Sequence, residues 1–131
     1  MKVLTIKQPF ATLIIEGYKE YEFRTWKTKF RGEFLIHAGK SIDKEAMERF
    51  KYLNLEYKTG MILGKCTLED CLLVDDKLKE ELTEKDPVVY YGAIHSSKKE
   101  YAFKLKNIEK INEIKVNGKL SFWEYNYNKN G

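Results

Sequence analysis

The segment Gly17-x-Lys19-x-x-Glu22-x-Arg24 places a glycine turn ahead of a lysine, a carboxylate and a guanidinium. Glu22 and Arg24 are two residues apart, so on a strand they share a face and can pair or jointly bind a polar ligand. A lysine in this group can act as a base or nucleophile if burial or the neighbouring Arg24 lowers its pKa. The same pattern also suits an ordinary row of ion pairs on a solvated strand face, so both interpretations stay open.

The following residues, 26–32, interleave aromatic and basic side chains, namely Trp26, Lys27, Lys29, Phe30 and Arg31. Positive charge collects here, since residues 19–31 hold five basic and two acidic side chains. Single-stranded nucleic acid is bound by such surfaces, which stack bases on rings and neutralise phosphates. The alternative is a hairpin with one aromatic ring packed inward and its lysines in solvent.

The histidines and cysteines do not suggest a metal or redox site. His37 lies in an apolar strand and His95 beside a turn, and their separation lacks the spacing of metal ligands. Cys66 and Cys71 are five residues apart on one expected strand and therefore face opposite sides. We interpret both histidines as structural, with His37 placed to line a cavity. The sequence has no P-loop, GxGxxG or serine-centred elbow, so we expect no cofactor and no metal.

Short strands and helices must position these residues. In the first half we expect a strand at 3–6, a helix opened by Gln8-Pro9 and ended by Gly17, and strands at 21–26 and 34–37. In strand 21–26, Tyr21 and Phe23 would face one side and the polar Glu22 and Arg24 the other. Ser41 is expected to cap a helix over 42–55.

In the second half, the pattern predicts a long strand at 61–74, an acidic surface helix or helical turn at 75–86, strands at 88–91, 101–105 and 120–123, and a loose tail from Asn126. Many short strands with two to three helices favour an α+β fold in which a small, curled β-barrel is flanked by helices.

Length and composition limit the class of protein. With 131 residues, 43% of them hydrophobic and a net charge of +4, the chain is expected to form a single globular domain over 1–131. No apolar run reaches the roughly 18 residues of a membrane span, and the N-terminus does not have the pattern of a signal peptide. We therefore expect a cytoplasmic protein without a membrane partner.

The ordered motifs resemble the ASCH domain family. The resemblance rests on Gln8-Pro9-Phe10-Ala11, the Gly-x-Lys-x-x-Glu-x-Arg segment with Trp26, Arg31-Gly32, Ile36-His37-Ala38, Gly60-x-Ile62-x-Gly64, Tyr101-Ala102-Phe103 and the ending 118–123. It spans nearly the whole chain, with Phe10 where many relatives have tryptophan. It implies a fold similar to the PUA domain, a mixed and mainly antiparallel barrel whose cavity would be framed by Lys19, Glu22, Arg24 and the segment 8–10.

The resemblance implies binding of nucleic acid, RNA more than DNA. The expected ligand-binding residues are Gln8, Phe10, Lys19, Glu22, Arg24, Trp26, Lys27, Lys29, Arg31 and His37, with Trp26 stacking a base and the basic residues contacting phosphates.

One small bacterial branch resembles an amidohydrolase that removes the acetyl group from N4-acetylcytidine, a modified nucleoside. There a threonine stands two residues before the arginine, at the position of Glu22, and a distant glutamate takes part. Glu80, Glu81 and Glu84 are loose candidates for that glutamate. In this alternative Lys19 and Glu22 would be catalytic, and a metal-independent nuclease is a more distant third hypothesis.

Overall fold

The computed structural model describes residues 1–128, which form six strands and four α-helices. In chain order these are β1 (Lys2–Gln8), α1 (Phe10–Ile15), β2 (Tyr21–Arg24), β3 (Gly32–Ile42), α2 (Lys44–Arg49), a 3-10 turn (Lys51–Leu53), β4 (Met61–Leu73), α3 (Asp76–Lys85), α4 (Tyr91–Ile94), β5 (Tyr101–Lys115) and β6 (Phe122–Glu124). Within this part of the chain, no helix is both long enough and apolar enough to span a bilayer.

All six strands belong to one mixed sheet in the order β2-β5-β4-β3-β1-β6. The β1–β3 pair is parallel, and the other four pairings are antiparallel. The expected α+β class with a mainly antiparallel mixed sheet is therefore confirmed.

The expectation of a closed barrel is wrong, because edge strands β2 and β6 do not pair with each other. Both edges are short, with four and three residues. They approach each other through side chains: Trp26, just after β2, packs edge-on against Phe122 of β6 with ring centroids 5.9 Å apart. The Arg24 side chain also reaches the backbone oxygen of Thr5 in β1 at 2.7 Å. The sheet is thus curled but remains open.

Helix α1 packs on the inner face of the sheet and forms the main core with Leu4, Phe34 and Phe103. Gly64 in β4 makes this packing possible. A Cβ atom at this position would lie 2.5 Å from the Glu109 backbone oxygen and within contact of α1. The smallest residue is therefore needed for close approach, although the backbone conformation is ordinary.

A second hydrophobic cluster lies under α2, α3 and α4 and includes Leu13, Phe50, Leu82 and Tyr90. Helix α3 begins at the cap Asp75, whose carboxylate accepts a hydrogen bond from the Leu78 N–H at 2.9 Å. The expected acidic helix at 75–86 is confirmed, and its apolar side anchors it to the sheet.

Two local predictions are wrong. Ser41 does not cap a helix, because β3 runs on to Ile42 and the cap of α2 is Asp43, which accepts from Ala46 N at 3.0 Å. Residues 88–91 do not form a strand. The Asp86 carboxylate accepts hydrogen bonds from Val88 and Val89, and this turn leads into α4, a fourth helix where two to three were expected.

The other boundaries differ mainly in length. Strand β5 extends ten residues past the expected end at 105, because β4 provides pairing partners as far as Lys115. The tail from Asn126 has no regular structure through residue 128, although Tyr127 packs against a third hydrophobic cluster. Residues 129–131 lie outside the described part.

Candidate functional site

The Gly17–Arg24 segment leads from the end of α1 into edge strand β2. Gly17 has a φ of +85°, a left-handed conformation that glycine adopts without strain. The Lys19 N–H donates to the Leu13 backbone oxygen at 3.1 Å, which holds the turn against α1. This turn places Lys19 between α1 and the edge strand β2. Glu22 and Arg24 lie two residues apart on β2 and therefore share one of its faces.

Glu22 bridges two cations inside the protein. Its Oε2 accepts from Arg24 Nε at 3.0 Å and from Arg24 Nη2 at 2.9 Å, and its Oε1 lies 3.5 Å from Lys19 Nζ. Lys19 is 3% exposed and Glu22 7% exposed. The alternative of an ion-pair row on a solvated strand face is therefore wrong for these two residues, because both side chains are buried.

Lys19 lies in a partly aromatic environment. Its Nζ also donates to the Tyr21 backbone oxygen, and it lies 4.5 Å from the ring centroid of Phe23 and 5.5 Å from that of Phe10. Burial lowers the pKa of Lys19 below its ordinary value, and the Glu22 carboxylate opposes this shift. Removing water from an ammonium favours its neutral form, so the Lys19 ammonium gives up its proton more readily than an exposed lysine does.

Arg24 joins the buried group to the opposite side of the curled sheet. Its Nη2 donates to the backbone oxygen of Thr5 at 2.7 Å. Thr5 follows Leu4, the last residue of β1 that pairs with β6. Within residues 1–128, Nη1 of Arg24 has no hydrogen-bond partner, and the side chain is 22% exposed. Arg24 therefore has donors left for an acceptor in the neighbouring cavity.

His37 belongs to a second buried polar group. Its Nε2 lies 2.7 Å from the Val116 backbone oxygen, which can only accept, so Nε2 carries the proton. Its Nδ1 then accepts from the Thr5 hydroxyl at 3.2 Å, and Thr5 in turn accepts from the Trp123 indole N–H at 3.0 Å. This chain of bonds sets the His37 tautomer and leaves its ring nitrogens without a free donor or acceptor.

Both groups line one cavity of about 890 Å³. Among residues 1–128, its charged lining consists of five basic and two acidic residues: Lys7, Lys19, Arg24, Lys40, Lys119, Glu22 and Glu100. Apolar lining comes from Phe10, Phe23, Val89 and Leu120 among others. The volume suits a nucleotide-sized ligand, and the charge excess favours an anionic one.

Of the ten sequence-predicted ligand-binding residues, the fold brings six to the cavity: Phe10, Lys19, Glu22, Arg24, Trp26 and His37. Gln8 lies outside it. Its buried amide joins Thr12 of α1 to the backbone oxygen of Lys58, both at 2.7 Å, so it fixes the start of α1.

The aromatic and basic segment after β2 divides between core and solvent. Trp26 packs edge-on against Phe103 with ring centroids 5.3 Å apart, while Lys27 and Lys29 are exposed. Arg31 donates to the backbone oxygens of its own loop and pairs with Asp70 at 3.4 Å. These three basic residues do not line the cavity. Trp26 points inward, as in the hairpin alternative, but the hairpin itself is wrong because β2 pairs with β5 and not with β3.

Sequence reasoning missed the rim lysines Lys7, Lys40 and Lys119 and the carboxylate Glu100. They come from four separate segments, and no local motif connects them. The only signal was the net positive charge. The glutamates proposed from the resemblance, Glu80, Glu81 and Glu84, are exposed on α3 and do not line the cavity.

No group of three or more His, Cys, Asp or Glu side chains among residues 1–128 could hold a metal ion. Burial raises the pKa of the Cys66 thiol, which keeps it protonated and unreactive.

A family model of the ASCH domain matches residues 4–117. The fold is similar to the crystal structure of ASCH from Zymomonas mobilis, with a TM-score of 0.58 and 18% identity, covering 88% of this chain and 73% of that one. One mutant form of that protein gives a TM-score of 0.57 at 18% identity, covering 88% of this chain and 75% of that one. A second mutant form gives a TM-score of 0.53 at 17% identity, covering 88% of this chain and 73% of that one. Comparison with curated proteins gives no match. At these identities the structural likeness concerns the fold alone.

Proposed function

The chain belongs to the ASCH domain family, and on that premise we propose that it binds RNA, with one nucleotide in the cavity and phosphates at its rim. The observation that carries the proposal is the charge of the cavity lining, five basic residues against two acidic. Lys7, Lys40 and Lys119 are exposed at the rim and, within residues 1–128, make no ion pair. Their charge is therefore available to phosphate.

Each part of the cavity has a distinct role in this proposal. Both oxygens of Glu22 already accept hydrogen bonds, so Glu22 holds Lys19 and Arg24 in place. Arg24 offers its free Nη1 donors to an acceptor on the base or the phosphate. Phe10 and Leu120 supply apolar contact for the base. The wider likeness to the PUA domain belongs to this proposal as well.

The test is fluorescence anisotropy with labelled single-stranded RNA at several salt concentrations, with duplex DNA for comparison. Lys40→Gln and Lys119→Gln should each reduce the slope of log affinity against log salt by about 0.7, because each removes one phosphate contact. Lys77→Gln is a matched control, since Lys77 is an exposed lysine on α3 that does not line the cavity. Salt-independent binding, or equal effects of all three variants, contradicts the proposal.

A second candidate function is hydrolysis of an acylated nucleoside such as N4-acetylcytidine, and the burial of Lys19 favours it. Neutral Lys19 would take a proton from water while the water oxygen attacks the amide carbonyl. The C–N bond then breaks, and the proton passes from Lys19 to the leaving amine, which gives a carboxylic acid and an amine. Glu22 would orient Lys19, Arg24 would stabilise the oxyanion, and Glu100 is the second carboxylate that lines the cavity.

Chromatography of N4-acetylcytidine incubated with the protein tests this candidate. Lys19→Met should abolish release of cytidine while the melting temperature stays close to that of the wild type. Wild-type protein that releases no cytidine, or a Lys19→Met variant with full activity, refutes it.

A further inference from the structure

A cation and two rings lie in contact on the surface beside the cavity. The guanidinium carbon of Arg49, the last residue of α2, lies 4.5 Å from the ring centroid of Tyr91. The Tyr91 and His95 rings are 4.3 Å apart and tilted by 43°. Tyr91 and His95 are four residues apart around α4, so helix geometry brings their side chains together. We call these three residues the surface stack.

The surface stack is not part of a hydrophobic core. Tyr91 belongs to none of the three hydrophobic clusters and is 43% exposed, whereas its neighbours Tyr90 and Ala93 are buried in the second cluster. His95 is exposed as well. Core packing therefore explains the inward residues of α4 but not the aromatic pair that it presents to solvent.

The surface stack adjoins the cavity. Gly92, the residue after Tyr91, lines the cavity and is itself exposed. A Cβ atom at Gly92 would meet nothing within 4 Å, so the passage from cavity to stack is open there. Gly92 directly follows Tyr91 and lies three residues before His95, so the cavity wall and the surface stack share helix α4.

The charge around the surface stack favours an anionic chain. Among the described residues, 1–128, Arg49 forms an ion pair only with Glu45, at 3.5 Å. Glu45 is 83% exposed, so solvent screens most of that interaction. The exposed Lys98 and Lys99 follow His95 within four residues. Aromatic rings beside exposed or weakly paired cations form the type of surface on which bases stack while the backbone is held electrostatically.

We propose that the surface stack is a second nucleotide subsite, where the base next to the cavity-bound nucleotide of single-stranded RNA stacks on His95 and Tyr91. This inference rests on the proposed RNA-binding function and extends it from one nucleotide to a short strand. Arg49 holds the Tyr91 ring from the α2 side and adds positive charge.

Isothermal titration with a nucleoside monophosphate and with single-stranded RNA of two, four and six nucleotides tests the subsite. His95→Ala and Tyr91→Ala should weaken binding of the two-, four- and six-nucleotide strands by about fivefold or more, the loss expected for one stacked base. Binding of the monophosphate should stay unchanged. Tyr91→Phe keeps the ring and should retain wild-type affinity.

Tyr18→Ala is the matched control, because Tyr18 is also 43% exposed, does not line the cavity, and lies outside the surface stack. Equal melting temperatures ensure that the comparison concerns folded protein. If the wild type binds strands but His95→Ala and Tyr91→Ala bind them equally well, the second subsite is refuted while the RNA-binding function stands. If the wild type binds neither monophosphate nor strand, the proposed function itself is refuted. Equal loss in Tyr18→Ala also overturns the inference.

Discussion

Replacing Glu22 by Gln tests how much the buried ion pairs of Glu22 with Lys19 and Arg24 contribute to the free energy of unfolding. Glutamine keeps the shape of the side chain but removes the negative charge between Lys19 and Arg24. Arg24 then loses its ion pair with contacts of 2.9 and 3.0 Å, and Lys19 loses its ion pair at 3.5 Å, although the amide oxygen can still accept a hydrogen bond. Both cations remain near an amide that cannot neutralise them.

The expected loss of stability follows from burial. Removing one partner of a buried pair costs about 3–5 kcal/mol, because the remaining charge stays desolvated. Arg24 is 22% exposed and partly screened, so we expect the lower end, about 3 kcal/mol. Lys19→Met should cost only about 1 kcal/mol, since Glu22 keeps Arg24 and the main loss is one hydrogen bond to Tyr21. The double variant should be more stable than Glu22→Gln alone.

Urea unfolding at pH 7, followed by circular dichroism, measures these differences from the transition midpoints at equal m-values. For a chain of this size, a loss of about 3 kcal/mol also lowers the melting temperature by about 10 °C. A Glu22→Gln variant within about 1 kcal/mol of the wild type, or a Lys19→Met variant that loses as much stability as Glu22→Gln, would show that the buried carboxylate does not hold the two cations.

Three further predictions concern titration, packing and binding. The pKa of Lys19 is below its ordinary 10.5 in the folded state, so between the folded and unfolded pKa values the unfolded chain binds more protons. The unfolding free energy of the wild type relative to Lys19→Met should therefore rise with pH up to about 10.5. A flat or falling difference in urea titrations at several pH values contradicts this. Gly64→Ala should destabilise by about 1–3 kcal/mol because its Cβ meets the Glu109 backbone oxygen, whereas Gly92→Ala, with open space around it, should be neutral or slightly stabilising in thermal melts. Lys40→Gln should weaken RNA binding more at low salt than at high salt, and an equal loss at both, measured by anisotropy, argues against a phosphate contact.

Several elements were predictable because their signals are local. Gly17 ends α1, Asp75 begins α3, and the apolar run from Met61 predicts β4. Residues 88–91 were misassigned because an apolar run of four fits a strand or a buried turn equally well. The Asp86 carboxylate, which binds two N–H groups of that run, decides in favour of the turn.

The length of β5 illustrates a non-local effect. Residues 106–115 are rich in lysine, glutamate and asparagine, a composition that favours no strand by itself. The segment becomes strand because β4 offers it a ladder from Lys106 to Lys115. Pairing with a long neighbour thus overrides weak local preference.

The candidate site likewise has features that follow from local sequence and features that depend on distant segments. The spacing of Lys19, Glu22 and Arg24 within one turn and one short strand is a property of the sequence, and it identified the buried charged group. Their burial, the link from Arg24 to Thr5, and the arrival of Lys40 and Glu100 at the same cavity depend on how distant strands curl together. Backbone geometry repeats over a few residues, so the local residue pattern is enough to show which groups share a face. Which of those groups lose water, and which distant charges they meet, depends on the packing of the sheet and helices, because desolvation and long-range contacts arise only there.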